Sequence, residues 1–260
     1  MSDENEQVKR PGSEPPRVLP KRFYQTAGVE AGAAGHHLVL DGKPTRTPKK
    51  KPLAVPTRAF AEAIAAEWEA QAERIDPATM PLTRYANTIL DGIIGREAEV
   101  RADIAKYAGT DLVCYRADMP DDLIAMQAAS WDPLLAWART ELKMPLVATA
   151  GVMPVDQARD TMRRAEDALA DLDAFHLAAV HTMTTLMGSV VLALAVLKGR
   201  LTAQDAWAAA HVDEDWQSRK WGEDEQAAAR RERRWQEMQA AELMLRLLRA
   251  DGSGRGIEIA

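Results

Sequence analysis

The chain has 260 residues (28.6 kDa), 47% hydrophobic and 28% charged, and its 33 Lys and Arg against 39 Asp and Glu give a formal net charge of −6 and a pI near 5.5. This is the balance of a globular protein with enough apolar mass for a sizeable core, and it excludes a protein built to grip nucleic-acid phosphates, which needs clustered, uncompensated cations. The single cysteine, Cys114, cannot form an internal disulfide and has no base beside it in LVCYR, so it reads as a small buried hydrophobe in a reducing compartment.

Residues 1–21 are polar and Pro-rich and are expected to form a disordered lead. They lack the basic-then-apolar pattern of a secretory signal, and Asp3, Glu4 and Glu6 are foreign to an acid-poor transit peptide, so the expected location is a bacterial-type cytoplasm. Residues 22–80 form the next unit. Its short apolar runs are broken by Gly and Pro, and HLVLDGKPTRTP places Asp41-Gly42 after an alternating run, which predicts a β-hairpin. Thr57 can cap the helix that follows, where Phe60, Ile64, Ala65 and Trp68 share a face until Asp76-Pro77 ends the run.

Residues 81–250 read as helical, with segments near 82–93, 97–115, 120–142, 156–172, 173–198, 203–221 and 223–250, and residues 251–260 form a flexible tail. DLVCY (111–115) suits a short strand as well as a helix, and Pro133 is expected to kink or divide its helix. Thr202 with Asp205 marks a helix start, and Gly199 and Gly222 mark stops. The apolar run Met183–Leu197 is interrupted by Gly188 and Ser189 and is too short to span a membrane, so it is assigned to the core. The expected fold class is α+β, a small β-rich N-terminal domain followed by a larger multihelical one.

The candidate chemical groups are sparse. His36 and His37 fall on opposite faces of a strand, and His176 and His181 lie about 140° apart on a helix, so neither pair suits a metal. DGSGRG (251–256) lacks the strand and helix of a phosphate loop, and Ser189 lacks the setting of a nucleophile elbow and reads as a small residue admitting a close helix. Arg46, Lys49, Lys50 and Lys51 form a basic edge that either guards the sheet or meets an acidic partner. The RRERRW run beginning at Arg230 reads as a salt-bridged helix face. Carboxylates cluster at Glu62, Glu67 and Glu69 and again around DEDWQSRKWGEDEQ (213–226), with Glu223–Glu225 suited to a helix first turn. No catalytic, metal or cofactor set accompanies them. Trp216 and Trp221 are five residues apart, so a straight helix would turn them to different faces.

Several segments, in order, resemble one family: RFY (22–24), LDGKPTRTPKKKPL (40–53), IAAEWEAQ (64–71), IDPATMPLTRYANT (75–88), TDLVCYRA (110–117), WDPLLAW (131–137), GSVVLALA (188–195) and DEDWQSRKWGEDE (213–225). The chain is similar to the F-type ATP synthase assembly chaperones that bind the alpha subunit of the catalytic head. The resemblance implies a two-part protein without catalytic activity or cofactor, acting on the unassembled alpha subunit; a monomer is expected, and the charge balance and short apolar run leave no nucleic acid and no membrane insertion among its partners. It also implies a functional acidic residue ahead of an aromatic-Gln pair. Glu214, upstream of Trp216-Gln217, matches best, with Asp213 and Asp215 as adjacent registers, and these five residues together with Trp221 form the expected partner-binding set. The competing reading is an enzyme, such as a hydrolase, with a carboxylate-lined pocket between the domains.

Overall fold

Strands β1 (Ala27–Gly32) and β2 (Gly35–Leu40) pair antiparallel, and β2 also pairs antiparallel with two short strands, β3 (Lys43–Pro44) and β4 (Ala54–Val55). A computed structural model describes residues 18–151, 153 and 155–250; most of the expected lead, the C-terminal tail and its DGSGRG run lie outside them. The hairpin read at Asp41-Gly42 joins β2 to β3. Both residues have positive φ (48° and 72°), the mirror-image turn whose twist matches a strand pair. Gly35 is needed for space as well as conformation: a Cβ there would lie 2.5 Å from the Val55 carbonyl oxygen.

Helix α1 (Arg58–Glu69) packs on β1 and β2, and Thr57 caps it by accepting the Phe60 N–H at 3.2 Å. Phe60, Ile64 and Ala65 are buried as the spacing predicts, and Trp68 packs at the margin of the core. The helix ends short of Asp76-Pro77. Buried Gln71 gives its amide N–H to the Glu67 carbonyl at 2.9 Å and accepts Asp76 N–H at 2.7 Å, which turns the chain early.

Ten α-helices occur among the described residues: α1, α2 (Pro81–Thr88), α3 (Glu97–Lys106), α4 (Asp121–Thr140), α5 (Arg159–Ala168), α6 (Ala174–Met187), α7 (Val190–Leu197), α8 (Ala203–Ala210), α9 (Val212–Trp221) and α10 (Glu225–Arg249). The class is therefore α+β with a dominant helical part. The apolar run is core: every residue of α7 is buried, and α6 packs against α3, α7 and α10. Leu38, Leu53, Val55 and Phe60 belong to the same cluster as these helices, and Thr57 Oγ1 donates to the Leu247 carbonyl at 3.0 Å, so one core joins the sheet to the bundle.

Three expected helices are divided. The segment 97–115 ends its α-helix at Lys106, passes through tight turns at Tyr107–Gly109 and Leu112–Cys114, and becomes strand β5 (Tyr115–Arg116), which pairs parallel with β6 (Thr149–Ala150). The segment 173–198 breaks at Gly188, left-handed at φ +67°, and Ser189 starts α7 by accepting the Leu192 N–H at 3.1 Å; its role is that of a cap. The segment 203–221 breaks at His211, whose φ of −119° and ψ of 23° leave the helical region. Pro133, in contrast, sits inside an undivided α4, flanked by Trp131 and Leu134 at 1% and 3% exposure in the core. Packing on both sides outweighs the lost hydrogen bond.

The break at Gly188 explains two of the sequence motifs. Asp111, fully buried, accepts the Val191 N–H at 3.1 Å and the Val113 N–H at 3.2 Å, and Leu112 N–H donates to the Gly188 carbonyl at 3.0 Å. TDLVCYRA and GSVVLALA are thus two halves of one joint. Burial outweighs these donors and pushes the Asp111 carboxyl up to about 6. Burial, followed by Asp111 itself, pushes the Cys114 thiol up to about 12, which leaves it an inert core residue.

Candidate functional site

The corner made by α8, α9 and the start of α10 is built from caps. Thr202 Oγ1 accepts the Asp205 N–H at 3.0 Å and donates to the Asp205 carboxylate at 2.7 Å, starting α8. Gly222, at φ +89° and ψ 168°, takes a backbone conformation open essentially to glycine alone and ends α9. Asp224 then caps α10, accepting from Gln226 and Ala227 at 2.8 and 2.9 Å. Of the three acidic residues expected in that first turn, Asp224 is the cap and Glu225 the first-turn carboxylate.

The six residues expected to bind a partner separate into two groups. Trp216 is 8% exposed, and its Nε1 donates to Asp122 Oδ2 at 2.9 Å at the start of α4. That bond, aided by Lys220 at 3.6 Å, holds Asp122 below the usual carboxylate range, and Lys220 Nζ also lies 4.5 Å from the Trp216 ring centre. Asp213 accepts from the buried Gln127 amide at 2.7 Å; the other end of that amide accepts Ala117 N–H at 2.8 Å. Asp215 pairs with Arg231 of α10. These three side chains fasten α9 to α4 and α10.

Glu214, Gln217 and Trp221 are exposed, and their spacing of three and four residues puts them on one outward stripe. The Glu214 carboxylate lies 3.7 Å from His211 Nε2, while His211 Nδ1 lies 2.7 Å from the Trp207 carbonyl. Burial lowers the His211 pKa, which disfavours a charged ring beside the Glu214 carboxylate. Trp221 is 72% exposed, one of the most open large apolar side chains described. The two indoles nevertheless touch, edge to face with ring centres 5.2 Å apart, contrary to the expectation from their spacing. Side chains on a helix lean toward its N-terminus, so the long Trp221 ring reaches back over the turn that carries Trp216. Met119, three residues before Asp122, is also 73% exposed.

Asp122, Gln127 and Arg231 complete this corner together with His211 and were not legible in the sequence, because Arg231 acts through a residue 16 positions away and Asp122 and Gln127 through residues 94 and 86 away. The carboxylates of α1 serve elsewhere. Glu67 accepts the Leu82 and Thr83 N–H groups at 2.7 and 2.8 Å at the start of α2, Glu69 binds Arg22 and Ala27, and Glu62 pairs with Arg58. The acidic sets therefore do not converge on a common pocket. The cleft of about 660 Å³ between α8 and α10 is lined by mixed groups, including Trp207, Arg231, Glu232 and Trp235. The basic edge is largely tied down: Lys49 and Lys51 donate to the carbonyls of Asp91 and Leu90 at 3.0 and 2.5 Å. His176 and His181 pair with Asp173 and Asp103 at 2.9 and 3.0 Å. The cations of the RRERRW run join helices, with Arg231 reaching Asp215 and Arg234 the Leu186 carbonyl.

A family model described as ATP12 chaperone protein matches residues 21–139. The crystal structure of Atp12 from Paracoccus denitrificans superposes with a TM-score of 0.85 at 43% identity, over 88% of this chain and 99% of that one. The chain belongs to the ATP12 chaperone family. The Atu1473 protein of Agrobacterium tumefaciens, described as a chaperone candidate, matches at 45% identity with the same TM-score over 88% of this chain and 87% of its own. Among curated relatives, protein atp12 of Schizosaccharomyces pombe, a mitochondrial protein, is 22% identical over 219 residues, 80% of this chain and 75% of its own. The resemblance to ATP synthase assembly chaperones read from the motifs is thereby borne out. The structural matches extend past the family-model boundary at residue 139. No helix among the described residues is long and apolar enough to cross a membrane.

Proposed function

We propose that this ATP12-family chaperone is a non-enzymatic, monomeric holdase of the cytoplasm that binds the unassembled alpha subunit of the F-type ATP synthase through the outward stripe of α9. The observation that carries this reading is the division of labour on α9: Asp213, Asp215 and Trp216 are spent on fixing the helix, and Glu214, Gln217 and Trp221 are left facing solvent on a rigid base. A preorganised aromatic anchor beside a free carboxylate is what an interface uses, the indole for burial and the charge for steering. A holdase needs no nucleotide loop, which suits the dispersed carboxylates.

The test is to mix the full chain with isolated alpha subunit and resolve the mixture by sizing chromatography. The expected result is a one-to-one complex with a chaperone that runs alone as a monomer. Failure to form any complex with alpha, or equal binding to unrelated unfolded proteins, contradicts the reading.

A further inference from the structure

Among the described residues, no strand pairs with the outer edge of β1. Asp41 N–H donates to the Thr26 carbonyl at 3.0 Å, and the register runs on through Gly28↔Val39, Glu30↔His37 and Gly32↔Gly35. In an antiparallel pair these alternate residues bond the partner strand, so Ala27, Val29 and Ala31 turn their N–H and C=O groups away from β2. The Ala27 N–H is occupied by Glu69 Oε2 at 2.9 Å. The outward N–H groups of Val29 and Ala31 have no acceptor among the described residues. β1 also carries neither of the residues that commonly guard an edge, lysine and proline.

Beside this edge lies a groove of about 320 Å³, with Ala27, Gly28 and Val29 on one side and an α1 stripe that includes Arg58, Glu62 and Ala66 on the other. The α1 positions recur at helical spacing, so they lie on one face of the helix. Ala66 is exposed and small, leaving room above the strand for a side chain from an incoming segment. At the groove Arg58 pairs with Glu62 at 2.7 Å and Glu69 with Arg22 at 3.2 Å, while Glu30, on the opposite face of β1 from Val29, is exposed with no ion-pair partner among the described residues.

We infer that β1 accepts an extended segment of the client as an added strand, laid in the groove between β1 and α1, separate from the α9 stripe and resting on the reading of the protein as an alpha-subunit chaperone. A helix satisfies its own backbone and would leave the Val29 and Ala31 groups unmade, whereas an extended peptide completes them and presents alternate side chains to Ala66 and to solvent. The free charge of Glu30 selects a segment with a lysine or arginine at the facing position. Covering such a segment would also keep an unassembled subunit from pairing through it with other copies.

Residue-resolved hydrogen exchange on the full chain tests this, first with intact alpha subunit and then with overlapping twelve-residue peptides that tile its sequence. The expected result is that alpha, and at least one peptide carrying a basic residue, slow exchange of the Val29 and Ala31 amides by about tenfold or more. Ala66→Arg, which fills the groove from an exposed helix position, should abolish that protection at unchanged melting temperature. Ala31→Pro, which removes one outward N–H and no bond to β2, should weaken peptide binding by about tenfold. Alpha binding with Val29 and Ala31 still exchanging freely, or protection that survives in Ala66→Arg, overturns the strand-addition site alone. Absence of any complex with alpha overturns the functional reading and the site with it.

Discussion

Replacing Trp216 by alanine removes an indole that is 8% exposed, together with its 2.9 Å hydrogen bond to Asp122 and the ring that carries Lys220. Truncating a buried tryptophan costs about 3–5 kcal/mol. The freed Asp122 adds little, because its side chain is 55% exposed and water replaces the indole N–H. Trp221 offers the control five residues away. At 72% exposure, roughly 70 Å² of its surface is covered, worth at most about 2 kcal/mol at about 25 cal/mol/Å². In a chain of this size the first substitution should lower the melting temperature by about 10 °C and the second by no more than about 5 °C. Thermal unfolding followed by far-UV circular dichroism reads both. Equal losses, or a Trp221→Ala variant less stable than Trp216→Ala, would refute the assignment of one indole to the fold and the other to the surface.

Glu214→Lys should keep the wild-type stability within about 0.5 kcal/mol, since its carboxylate makes no close bond, while weakening alpha-subunit binding by about tenfold or more; a collapse in stability would make Glu214 structural instead. Gly222→Ala should cost about 1–3 kcal/mol from backbone strain alone, because a Cβ there meets nothing within 4 Å, and urea unfolding measures it. Asp111 provides a pH signature. Its carboxyl is raised from 3.8 to about 6 in the native chain, so between those values the folded state binds more protons than the unfolded one, and this group's contribution to stability falls as pH rises. The full span is about 3 kcal/mol. Denaturation from pH 4 to 7 should show the stability of wild type minus that of Asp111→Asn declining with pH; a difference that grows with pH would mean that the native carboxyl lies below its ordinary range.

Local chemistry was legible wherever the partner lies within a few residues. The Asp41-Gly42 turn, the Thr57 and Thr202 caps, the Gly222 stop and the apolar face of α1 all act over one or two turns, and each appears where the spacing places it. The long helices at 97–115, 173–198 and 203–221 were overdrawn for a related reason. Apolar periodicity resumes across a break when both halves pack on one core, so Gly188, visible as an interruption of the apolar run, and the His211 turn did not show as helix ends. Pro133 shows the converse, a strong local breaker that does not divide a helix buried on both sides of it. In the candidate site, the acidic and aromatic composition of α9 singled out the helix on which the proposed client surface is built. Which carboxylate is free could not be read, since Asp213 and Asp215 are consumed by Gln127 and Arg231, residues placed by the tertiary fold.

Light scattering from isolated alpha subunit held under aggregating conditions, with the full chain added in equimolar amount, measures the central claim most directly. Wild type should suppress the scattering, and the folded double variant Glu214→Lys with Trp221→Ala should leave it close to the level of alpha alone. Suppression by the double variant equal to that of wild type would contradict the assignment of the α9 stripe as the surface that holds the client.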